Sequence, residues 1–69
     1  LRVGSRGADV RVLQQLLAQD PTLYPERKVT GYYATNTRAA IRRFQERYGL
    51  PVTGSVDTAT RTKLNEVFP

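Results

Sequence analysis

VTGYYATNTRAAIRRF at residues 29–44 and VTGSVDTATRTKLNEV at residues 52–67 are one unit written twice. Val-Thr-Gly coincides at 29–31 and 52–54, Thr35 with Thr58, and Thr37-Arg38 with Thr60-Arg61. Tyr33/Val56, Ile41/Leu64 and Phe44/Val67 are similar in kind. A repeat of this period marks a supersecondary unit whose copies bury their faces against each other. Here the unit is a glycine turn leading into a helix. The alignment also sorts two adjacent tyrosines. Tyr33 shares its slot with Val56 and is expected to face inward, whereas Tyr32 shares its slot with Ser55 and is expected to face outward. An exposed aromatic beside a glycine turn is the better ligand candidate.

The helices follow from apolar spacing. Val10, Leu13, Leu16 and Leu17 form a stripe after Gly7-Ala8-Asp9, with Asp9 in a first turn that favours negative charge. Asp20-Pro21 ends that helix, because the residue before proline avoids helical angles. Thr37, Ala40, Ile41, Phe44 and Tyr48 form the second stripe, and Gly49 followed by Pro51 stops it. Thr60, Leu64, Val67 and Phe68 form the third, with Asp57 as N-cap. The longest loop runs from Asp20 to Thr30. A short ribbon between the two Val-Thr segments is the less favoured alternative. The expected fold is all-α: a compact three-helix bundle with Gly/Pro loops. It forms a single domain over residues 1–69, excised from a longer chain because it begins at Leu1 rather than Met.

Composition narrows the chemistry. Without Cys there is no disulfide, thiol nucleophile or Cys-based zinc site, and without His no imidazole base or metal ligand. Ser5 and Ser55 have nothing to activate them. The carboxylates Asp9, Asp20, Asp57, Glu26, Glu46 and Glu66 lack the spacing of a catalytic pair. A chain of 69 residues has little room for a deep cavity beside its core. We therefore expect no enzyme, no cofactor and no metal. Eleven Lys+Arg against six Asp+Glu give +5, and nine of the eleven are Arg, suited to two-point recognition of carboxylate or phosphate. A solvated basic surface without a ligand is the plainer reading. No apolar run is long enough for a membrane span, and no signal peptide is present.

At this point three blocks in order resemble a known family. GSRGADVRVLQQLL at 4–17, VTGYYATNTRAAIRRFQERYGL at 29–50 and VTGSVDTATRTKLNEVF at 52–68 are similar to the peptidoglycan-binding domain 1 family. Its pattern is G-x-x-G-x-x-V-x-x-L-Q-x-x-L, T-G-x-F-G-x-x-T-x-x-A-V-x-x-F-Q and G-x-V-G-x-x-T-x-x-x-L. Departures are Tyr33 for the usual Phe, and Ala34 and Asp57 for common Gly. Asp57 can cap a helix with its side chain and Ala34 cannot. The resemblance implies a non-catalytic three-helix module that binds cell-wall peptidoglycan or muropeptide and anchors an attached enzyme domain. It further implies a monomer located in an extracellular, periplasmic or wall-associated setting.

Candidate ligand residues are Tyr24, Tyr32, Arg38, Gln14 and Gln45. Tyr24 and Tyr32 flank the long loop and the first turn, where a ring either packs on the protein or stacks on a sugar. Gln14 and Gln45 either bond a peptide ligand or satisfy loop backbone near a helix junction. Arg38 and Arg61 recur in first turns, an unfavourable end for a cation, so an inter-helix ion pair is expected, with an anion site as the alternative. Arg42, Arg43 and Arg47 read as a solvated face. Two rival readings are a small basic nucleic-acid binder using Arg38, Arg42, Arg43 and Arg47, and a purely structural or protein-interaction module. Glu46 and the length of the Asp20–Thr30 loop count against the nucleic-acid reading.

Overall fold

Three amphipathic stripes become three helices: α1 (Ala8–Leu17), α2 (Thr35–Arg47) and α3 (Thr58–Val67). The computed structural model describes residues 1–69. There are no strands, and the two Val-Thr segments do not pair with each other. One isolated antiparallel bridge joins Arg6 to Tyr32 instead. No helix is long and apolar enough to cross a membrane.

The core is where the stripes meet. α1 contributes Val10, Leu13 and Leu17, α2 contributes Ala40, Ile41 and Phe44, and α3 contributes Leu64. Phe44 lies at its centre, with ring centroids 4.8 Å from Tyr48 and 6.3 Å from Phe68. Three loop residues complete it: Leu23, Tyr24 and Tyr33. Tyr33 is fully buried and Tyr32 is 40% exposed, the arrangement expected from their partners in the repeat.

Caps follow the side chains available. The Asp57 carboxylate accepts from the Thr60 backbone N–H at 2.8 Å, which holds its pKa below the usual carboxylate range. Ala34 leads into α2 with no side-chain cap. α1 ends at Leu17, short of the expected Asp20-Pro21 stop. Its chain then tightens, with Gln19 and Asp20 N–H groups donating back to Leu16 and Leu17.

Two segments outside the helices fix the rest. Asp20 opens a tight turn: its carbonyl accepts from Leu23 and Tyr24 N–H, and its carboxylate accepts from the Thr22 hydroxyl at 2.6 Å. That contact, with the Thr22 N–H and Arg47, holds the Asp20 pKa low. Arg47 reaches the same turn at Asp20 (2.8 Å) and Thr22 (2.7 Å), and Arg43 donates to the Leu23 carbonyl at 3.0 Å. The long loop is thereby fastened to α2. At the other end, residues 1–7 form a strap. Leu1 pairs with Val56, Gly4 N–H donates to Tyr33, Tyr33 N–H to Ser5, and Gly7 N–H to Gly31.

Candidate functional site

Each glycine turn is locked by one buried glutamine amide. The Gln14 Oε1 accepts from the N–H groups of Thr30 (2.8 Å) and Gly31 (2.9 Å). Its Nε2 donates to the Tyr32 carbonyl (3.0 Å) and to the hydroxyls of Thr37 (3.1 Å) and Thr30 (3.4 Å). Gln45 repeats the pattern. Its Oε1 accepts from Thr53 and Gly54 N–H at 2.9 and 3.0 Å. Its Nε2 donates to the Ser55 carbonyl (2.9 Å), Thr60 (3.0 Å) and Thr53 (3.2 Å) hydroxyls. One helix, the turn after it and the first turn of the next helix are thus tied together by a single side chain, twice over.

These contacts decide between the two readings of the glutamines. Gln14 and Gln45 are buried, and both their amide oxygen and nitrogen are occupied internally. They brace the backbone and offer nothing to a peptide ligand, so their place among the ligand candidates is corrected. Tyr24 requires the same correction. It is 2% exposed and its hydroxyl donates to the Lys28 carbonyl at 2.6 Å, so neither ring face is open to a sugar. Of the two alternatives for its ring, packing on the protein holds: the loop folds back and buries Tyr24 with Leu23.

Tyr32 stays outside. It sits on the rim that Gln14 freezes, and the Arg6 guanidinium lies 4.7 Å from its ring centroid. Arg11, one turn before Gln14, crosses Gly31: a side chain there would start 3.0 Å from Arg11 Nε. Gly31 also has φ +79°, a left-handed conformation natural to glycine. An exposed ring, two cations and a rigid turn therefore share one rim.

Arg38 lacks the ion-pair partner that was expected of it. It forms no ion pair, and Arg61 forms none either; the two salt bridges are Arg47–Asp20 and Lys63–Glu66. Arg38 instead lies with Arg42 over Gly54, whose Cβ position would be 3.0 Å from Arg38 Cγ and 3.4 Å from Arg42 Cγ. Arg42, Arg43 and Arg47 are exposed, as a solvated face requires, and Arg43 and Arg47 in addition hold the Asp20–Leu23 turn. The four arginines of α2 thus divide into two pairs with different surroundings and do not form a single recognition face. Beneath Arg38, the buried Tyr33 hydroxyl donates to the Gly54 carbonyl at 2.6 Å. Burial pushes the Tyr33 pKa up to about 12, with the Arg38 charge opposing.

An open, shallow polar groove lies elsewhere, lined by Thr22, Arg43, Glu46 and Arg47. None of the expected ligand residues lines it. Signals missed in the sequence are Arg6 and Arg11, whose relation to Tyr32 and Gly31 depends on the strap and on α1 crossing the turn.

Comparison with known proteins agrees with this geometry. The family described as "Putative peptidoglycan binding domain" matches residues 6–64. A zinc D-Ala-D-Ala carboxypeptidase of Streptomyces albus G is 36% identical over 67 residues, covering 97% of this chain. The chain spans 26% of that relative's length. The crystal structure of the SleB N-terminal domain superposes with a TM-score of 0.91 at 35% identity, covering all of this chain and 92% of that one.

Proposed function

The chain belongs to the peptidoglycan-binding domain family, and on that premise we propose that it is a non-catalytic module that holds an attached enzyme domain to the cell wall. The observation that carries this reading is the rim at Tyr32, an exposed ring beside Arg6 on a turn that Arg11 crosses at Gly31 and Gln14 ties down. Muropeptides combine apolar sugar faces with free carboxylates on their peptide stems. A tyrosine ring suits the first and arginines suit the second. Arg6 covers part of Tyr32, and the residue is still 40% exposed for contact with a sugar.

The carboxypeptidase relative, of which this chain matches only a part, supports a wall enzyme as the attached domain. The setting is extracellular, periplasmic or wall-associated, and the module acts as a monomer. Binding at one site is expected to be weak, on the order of 10⁻⁴ M. Tethering raises occupancy, because every released module remains close to further sites.

Co-sedimentation with purified sacculi tests the proposal. The domain is expected in the pellet at low salt, with binding weakened by salt and reduced at least about fivefold by Tyr32→Ala. Retention in the supernatant at low salt overturns it.

A further inference from the structure

Arg38 and Arg42 stand one turn apart on α2 and lie over the same glycine. Every other pairing on that helix is satisfied differently: Arg43 and Arg47 have acceptors in the long loop. Arg38 and Arg42 have neither an ion-pair partner nor a side-chain hydrogen bond. The carboxylate nearest in sequence to Gly54, Asp57, is committed to capping α3. Two like charges at this spacing repel, so the arrangement is mildly unfavourable by itself.

Gly54 permits the arrangement. A side chain there would start 3.0 Å from both Cγ and Nε of Arg38, so only a bare backbone lets the stem lie flat. Flattening restricts the rotamers before any ligand arrives, which reduces what binding must order. The first turn has no such pair: Arg11 crosses Gly31, and one turn before it stands Gly7, ahead of α1. Ser55 follows Gly54 where Tyr32 follows Gly31, so this end offers charge without an exposed ring.

We propose that Arg38 and Arg42, laid across Gly54, form a receptor for the free carboxylate of a peptide. The guanidinium fork matches a planar carboxylate in two-point geometry. The inference rests on the wall-binding reading for its biological ligand, the stem peptide, and assigns that peptide's terminal carboxylate to a place additional to, and separate from, the Tyr32 rim.

The experiment is an NMR titration of the 69-residue domain with N-acetyl-alanyl-alanine as free acid and as C-terminal amide. The acid is expected to bind at least about tenfold tighter, with shifts centred on Gly54, Ser55 and the Arg38 and Arg42 Nε–H groups. Arg38→Gln with Arg42→Gln should abolish the preference. Arg38→Lys with Arg42→Lys should lose most of it, because the charge remains but the fork does not. Arg27→Gln with Lys28→Gln removes equal charge from the exposed long loop and should leave the preference intact. Equal binding of acid and amide, a preference surviving in the Arg38/Arg42 glutamine variant, or displacement by inorganic phosphate at equal affinity overturns the assignment. Sacculus sedimentation of the same samples separates the two proposals. Sacculi bound without acid preference sinks the receptor alone, whereas acid preference without sacculus binding sinks the wall-binding reading alone.

Discussion

The turn at Val29–Gly31 and the turn at Val52–Gly54 are held by matching sets of hydrogen bonds, yet they present different surfaces. After the first glycine comes Tyr32, exposed and met by Arg6, with Arg11 over the glycine; after the second comes Ser55, with Arg38 and Arg42 over the glycine. The supports differ too. The first turn is hydrogen-bonded to the strap by Gly4, Ser5 and Gly7, whereas the second is reached only through Leu1–Val56 and the Tyr33 hydroxyl. The frame is duplicated, and its outward chemistry is not. What must be conserved for folding lies on the amide side of each turn, leaving the residue after the glycine free to specialise.

The largest effect should come from the amides. Gln14→Leu and Gln45→Leu each leave one buried and one partly buried N–H donor and a buried hydroxyl unpaired, a loss of roughly 2–4 kcal/mol, against a total near 5–15 kcal/mol for a small domain. Thermal denaturation should find Gln45→Leu the worse of the two, because the strap still holds the first turn. Equal losses would mean that the strap contributes nothing. Next come Gly31→Ala and Gly54→Ala. Both glycines are left-handed, at φ +79° and +78°, and an alanine should cost about 1–2 kcal/mol at either. A much larger loss at Gly54 in urea titrations would show that Arg38 cannot move aside.

Tyr33→Phe severs the link between the copies and leaves the Gly54 carbonyl short of a partner, for about 1–2 kcal/mol. It also has a pH signature. The folded-state pKa of about 12 lies above the ordinary 10.0, so the unfolded chain releases this proton first. Stability from this group is complete below pH 10 and is lost as pH rises towards 12. Alkaline unfolding curves of wild type and Tyr33→Phe should therefore converge over that interval. The smallest change in stability belongs to Tyr32→Ser, which gives the first turn the residue found at the second. It should stay within about 0.5 kcal/mol by calorimetry while wall binding falls.

Much of this frame is legible in the sequence because repetition and periodicity are local. The apolar stripes place all three helices, and aligning Tyr33 with Val56 and Tyr32 with Ser55 orients both tyrosines correctly. The glutamines are legible only as alternatives, since a polar residue beside Leu13 or Phe44 can face inward or outward. Tyr24 is illegible for a different reason. Its loop has no period, and its burial depends on Asp20 closing a turn that Arg43 and Arg47 then hold down. The missing ion pairs of Arg38 and Arg61 teach the same lesson about distance. Which cation meets Asp20 is settled by packing between elements far apart in the chain, and Arg47 is the one delivered there.

Each glutamine amide joins three consecutive pieces of chain, and the Tyr33 hydroxyl stitches one set to the other. Opening either turn therefore strips partners from groups on both sides of it, so partial melting has no stable resting place. The buried N–H groups of Gly31 and Gly54 should exchange with deuterium at one shared rate, that of complete unfolding. A fold built this way should open under load in a single step, with neither turn giving way before the other.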